Sequence, residues 1–116
     1  MKYALKMTGP VQQVLRALLE DAAVPRYGLE LSRQADLETG TLYPVMARLE
    51  RVGWVESSWE DADLSISDGR PRRRYYQLTK DGAEQARLAL AEISFRREKR
   101  RSGLGSPQPG ALRVPL

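Results

Sequence analysis

The stretch Gly69 to Tyr76, GRPRRRYY, gathers Arg70, Arg72, Arg73 and Arg74 in one short segment. Guanidinium groups are planar, permanently charged forks that suit phosphate oxygens, so this segment can bind phosphates or enter a nucleic-acid groove. A second stretch, Thr39 to Trp54, TGTLYPVMARLERVGW, carries hydroxyls at Thr39, Thr41 and Tyr43, small or donor-free residues at Gly40 and Pro44, and bases at Arg48 and Arg51. Hydroxyls and main-chain amides reach phosphates and base edges, and arginines reach phosphates. Together the two stretches suit double-stranded DNA as a partner, while each alone also fits an ordinary exposed helix with a tolerated N-terminal proline or a solvated, charge-rich hairpin.

Other chemistries are removed by inventory. The chain has no cysteine and no histidine, which excludes disulfides, Cys/His zinc sites, thiol nucleophiles and His-dependent triads. Asp61, Asp63 and Asp68 match no calcium-loop register. No metal, cofactor or catalytic residue is expected, and the chain reads as a non-enzyme. With 19 Lys and Arg against 15 Asp and Glu, the net charge of +4 permits a polyanionic partner without requiring one. No apolar run approaches the roughly 20 residues of a membrane span, and the start opens no signal-peptide core, so the expectation is a cytoplasmic protein without membrane contact.

Several elements must position these groups. Val11, Val14, Leu15, Leu18 and Leu19 make a helical stripe opened by Thr8 and Pro10, and the helix should end between Ala22 and Pro25. Lys2 to Met7 alternates weakly, as a short strand or an arm. Tyr27 to Ala35 reads as a second helix, and the few residues around Asp36 and Leu37 separate it from a third, the arrangement of a helix-turn-helix. In the third helix Leu42, Val45, Met46, Leu49 and Val52 form the core face, while Gly40, Pro44, Ala47 and Arg51 lie opposite. Pro44 is harmless if the helix starts at Thr41, where its missing amide has no partner; if Thr39 is the cap, it must distort the next turn.

After Gly53 the period turns from helical to alternating. Trp54 to Glu60 and Arg72 to Leu78 predict a hairpin, with Asp61, Asp63, Asp68, Gly69 and Pro71 in a polar loop between them. A hairpin after a helix-turn-helix is a wing. Alternation sends Arg72 and Arg74 to one face and Arg73 to the other, and Trp54 and Trp59 to opposite faces. Thr79 can cap a last helix to about Arg101, on which Ala83, Ala86, Leu90 and Ile93 oppose Leu88, Ala91 and Phe95. The second set needs another surface, most simply a second copy of the chain. Arg96, Arg97, Lys99, Arg100 and Arg101 complement the dipole at that helix's end.

Taken together, RYGLELSRQADLETGTLYPVMARLERVGWVESSWE and GRPRRRYYQLTKDG resemble the PadR-like transcriptional regulators, over about Thr8 to Ile93. The resemblance implies a winged helix-turn-helix homodimer on an inverted-repeat operator, usually as a repressor, with the last helix dimerising. It places Tyr27, Thr39, Thr41, Tyr43 and Pro44 in the DNA-facing segment and Arg72 to Arg74 in the wing. It also implies that a small-molecule effector would bind near the dimer interface. The last helix is short for a family with larger helical effector domains, and the acidic wing loop departs from the pattern.

The fold expected is α+β and mostly helical. Residues 1–78 form a winged helix-turn-helix DNA-binding domain, residues 79–101 a C-terminal dimerisation helix using Leu88, Ala91 and Phe95, and residues 102–116 a disordered tail. The alternative function is a winged-helix protein-interaction module without sequence-specific DNA binding.

Overall fold

The computed structural model describes residues 5–105, with side chains to residue 102. Its order is α1 (Gly9–Leu19), β1 (Arg26–Tyr27), α2 (Gly28–Ala35), α3 (Thr39–Arg51), β2 (Val55–Trp59), α4 (Ala62–Asp68), β3 (Arg74–Leu78) and α5 (Lys80–Gly105). Thr8 caps α1 by accepting from the Val11 amide, and a proline in the first turn costs nothing there. Of the weak alternation in Lys2 to Met7, Lys2, Tyr3 and Ala4 lie outside the described residues, and residues 5–7 form no strand.

The apolar stripes meet in one core. Val11, Val14, Leu15 and Leu18 of α1, Leu31 of α2, and Leu42, Val45, Met46 and Leu49 of α3 are buried together. Trp54, Val55, Tyr76 and Leu78 close the wing side, and Ala83, Ala86 and Ala89 bring α5 against it. The α2–α3 turn is tight because Asp36 takes a left-handed φ of 57°, which Asp tolerates better than most residues. The Leu37 amide then donates back to the Ser32 carbonyl at 3.0 Å.

The sheet has three strands, ordered β1-β3-β2 and antiparallel throughout. Strand β1 was not readable in the sequence: it has two residues, too few to alternate. Its Arg26 is buried and binds the open end of α1. Nη1 donates to the Ala17 carbonyl at 2.7 Å, and Nη2 donates to the carbonyls of Leu18 at 2.6 Å and Asp21 at 2.8 Å. A cation against orphaned helix carbonyls both satisfies them and opposes the dipole.

The polar loop expected between the strands is instead largely the helix α4. Asp61 caps it by accepting from the Asp63 amide at 2.9 Å, and Gly69 ends it at a left-handed φ of 66°. These are ordinary start and stop residues, but seven residues of mixed polarity show no helical stripe to pair them with.

Thr79 caps α5, its Oγ1 accepting from the Gly82 amide at 2.9 Å and donating to the Gly53 carbonyl. Gly82 leaves no room for a side chain: a Cβ there would stand 2.0 Å from the Trp54 carbonyl oxygen. The helix continues past the expected Arg101 to Gly105, so Ser102–Gly105 are helical rather than disordered. No proline interrupts that stretch; the next in sequence is Pro107. The rest of the expected tail lies outside the described residues. Leu90 and Ile93 are half-buried, whereas Leu88, Ala91 and Phe95 face outward.

Candidate nucleic-acid interface

On α3, Thr39, Gly40, Thr41, Tyr43, Pro44, Ala47 and Arg51 are exposed, opposite its buried face. The helix starts at Thr39 after Glu38, so Pro44 sits inside it and cannot donate to the Gly40 carbonyl. A Cβ on Gly40 would meet nothing within 4 Å, so packing within the chain does not itself require glycine there. The Glu38 side chain makes no capping bond and its carbonyl accepts from the Thr41 and Leu42 amides at 2.9 Å, which leaves the Thr39 and Gly40 amides for an outside acceptor. Arg48 is half-buried, with Nε 3.4 Å from the Pro44 carbonyl.

Tyr43 crosses from α3 to the start of α2. A Cβ on Gly28 would lie 2.1 Å from its Oη, so only glycine lets the ring lie there. In the wing, the arginines lie on aromatic faces. Arg73 is 4.1 Å from the centre of the Tyr27 ring, while Arg72 and Arg74 stand 5.8 and 5.7 Å from the centre of Trp59.

Two carboxylates hold parts of this array. Glu50 of α3 accepts from Arg74 Nη2 at 3.1 Å and from the Ser57 hydroxyl, linking α3 to the wing. Glu60, buried at the end of β2, accepts from both terminal nitrogens of Arg70, at 2.6 and 2.8 Å, and from the Arg73 amide at 3.2 Å. The Arg70 side chain, against the opposing cost of burial, pulls the Glu60 carboxyl from 4.5 down to about 2. Arg70 also pairs with Asp68 at 3.0 Å, and the Glu60 carbonyl accepts from Arg72 Nε at 2.9 Å.

Between wing and helices lies a groove of about 680 Å³. Tyr27, Gly28 and Leu29 form one wall, Tyr43 borders it, and Trp59, Tyr76 and the segment from Arg70 to Arg74 form the other.

The chain matches the model of the Transcriptional regulator PadR-like family over residues 14–88. It belongs to this family. A PadR family transcription regulator from hypervirulent Clostridium difficile R20291 is 24% identical; the match covers 80% of this chain and 97% of that one, with a TM-score of 0.63. A PadR-like transcriptional regulator from Bacillus cereus strain ATCC 14579 is 20% identical over 83% of this chain and 91% of that one, with a TM-score of 0.62. A Streptococcus mutans UA159 protein, at 21% identity, covers 97% of this chain and 100% of its own, with a TM-score of 0.63. No curated protein matches. As a PadR-family regulator the chain is a non-enzymatic DNA-binding transcription factor with a winged-helix fold.

Among the sequence-derived candidates, Tyr27, Tyr43, Arg70, Arg72, Arg73 and Arg74 all line this groove. Thr39, Gly40, Thr41, Pro44 and Arg51 continue the exposed face of α3 beyond it, and Arg48 lies half-buried on the same helix. Trp54, just before β2, is buried, and Trp59, at the end of β2, is exposed even though it shares the alternation face of buried Val55. Asp61 and Asp68 are engaged as a helix cap and as a partner of Arg70, and among the described residues no group of acidic side chains could hold a metal. Glu50 and Glu60 escaped the sequence reading, because a carboxylate that orders arginines from another segment leaves no local pattern. No helix among the described residues is long and apolar enough to cross a membrane.

Proposed function

We propose that the chain is a homodimeric repressor that reads an inverted-repeat operator. The observation that carries this is the shared groove: Tyr43 of α3 and Arg72 to Arg74 of the wing border the same opening, beside the uncapped start of α3. In this reading α3 enters the major groove with Thr39, Gly40 and Thr41 leading and Pro44 keeping bulk away. Thr41 and Tyr43 contact bases or phosphates, and Arg51, with Arg48 behind it, meets a phosphate. Arg72 and Arg73 follow the adjacent backbone, Tyr27 seats Arg73, and Arg70 shapes the wing through Glu60.

Dimerisation is supported by α5, where Leu88 is 59% and Phe95 67% exposed beside Ala91. Burying each large side chain contributes about 2 kcal/mol, a strong pull toward a second copy. A small-molecule effector would release the operator if it favours the free form over the DNA-bound one.

The deciding experiment is selection from random duplex DNA at near-physiological salt. The expected product is an inverted repeat with half-sites about one helical turn, roughly 10 base pairs, apart. Salt-sensitive retention without an enriched motif would overturn the operator reading and favour the protein-interaction module.

A further inference from the structure

We propose that the groove between the wing and α2 binds a nucleoside monophosphate, its phosphate held by Arg72 and Arg73 and its base lying against Trp59. The volume of about 680 Å³ falls within the usual range for small-molecule sites, and no carboxylate lines the opening. The charges specify the ligand further. Glu60 and Asp68 neutralise Arg70, and Glu50 neutralises Arg74. Arg72 and Arg73 are held by a main-chain carbonyl and by ring faces, and among the described residues neither guanidinium forms an ion pair, although the Glu60 carboxylate also acts on Arg73.

Two arginines at one opening without an ion pair suit a phosphate monoester, which offers three acceptor oxygens and carries about −1.5 to −2 at neutral pH. The ring half of the ligand follows from Trp59, 58% exposed, and Tyr43, 45% exposed, which present flat apolar faces at the same opening. Arginine planes already lie over Trp59, and a nucleobase is a flat π surface of the same kind. A neutral apolar compound would have to desolvate the arginines without pairing them, and inorganic phosphate would leave the rings uncovered.

The regulatory consequence rests on the operator reading above. Tyr43, Arg72 and Arg73 would serve either DNA or the nucleotide, so occupancy of the groove excludes the operator by direct competition. This differs from an effector held near the dimer interface.

Adenosine monophosphate, titrated into the full chain while tryptophan fluorescence is read, tests the site without any DNA. The expected result is saturable quenching that disappears in Trp59→Phe. Binding should be at least about tenfold weaker for adenosine and for inorganic phosphate, the value of losing one charged or one stacking contact. Arg72→Ala/Arg73→Ala, with unchanged circular dichroism, should lose at least the same factor. Equal binding of adenosine, quenching that persists in Trp59→Phe, or no response would overturn the proposal and leave the operator selection untouched. With the selected operator in hand, adenosine monophosphate should raise the apparent Kd for DNA in proportion to its occupancy. Binding without displacement would overturn the competition.

Discussion

The burial of Arg26 and the openness of Arg72 show that residue type alone does not assign a role. Arg26 serves the carbonyls of Ala17, Leu18 and Asp21, and truncation would strand them in the interior. Arg26→Ala should therefore cost about 3 kcal/mol in urea unfolding, with DNA contacts untouched in the fraction that remains folded. Gly28→Ala is the converse case. Its Cβ would push the Tyr43 ring outward, an exposed adjustment that should barely move the melting temperature yet weaken operator binding by about 1 kcal/mol in a titration. Glu60 supplies a pH signature. Its folded pKa lies below the ordinary value of 4.5, so its contribution is complete above that value and is lost as pH falls through about 2. The emission of Trp59, next to this network, should stay constant from neutral pH to about 4.5 and change only below it. Tyr43 and Arg70 to Arg74 stood out in the sequence as candidates through their types and local clustering, whereas which of Trp54 and Trp59 is exposed could not be read there. Arg26 and Glu60 did not stand out, because their partners are main-chain groups or distant arginines that no local spacing reveals.

At the scale of elements, the wing divides its arginines between Arg70 and Arg74, paired with carboxylates, and Arg72 and Arg73, held by a main-chain carbonyl and ring faces. Arg72→Ala/Arg73→Ala should weaken binding to every DNA sequence and flatten the dependence of affinity on salt, since each phosphate contact contributes about 0.9 to the slope. Arg70→Ala should instead loosen α4 and the wing while the salt slope stays the same, because its bonds are to Glu60 and Asp68. A slope that falls equally in both variants would return Arg70 to the phosphate-binding set. The helices α1, α2, α3 and α5 were visible in the sequence through their apolar periods, and the hairpin through its change to alternation. Helix α4 was hidden because it buries only Ser65 and its Leu64 and Ile66 remain exposed. A pattern of burial cannot reveal an element that buries almost nothing.

At the scale of the whole molecule, the long axis of 72 Å against 27 and 22 Å reflects α5 running beyond the body that carries α3 and the wing. Leu88→Asp/Phe95→Asp should leave this body folded while sedimentation reports a monomer. Operator affinity should drop by about 10² or more, as expected when two linked half-site contacts become one. The joint at the root of α5 determines how such a pair would measure DNA. Thr79 ties the first turn of α5 to Gly53, immediately after α3, and Gly82 seats that turn against the Trp54 backbone without a side chain between them. A joint this close has no slack for a hinge, so the dimer would behave as a fixed-span caliper. It would tolerate changes of base within the spacer and refuse changes of length, and adding about five base pairs, half a turn, would place the half-sites on opposite sides of the duplex.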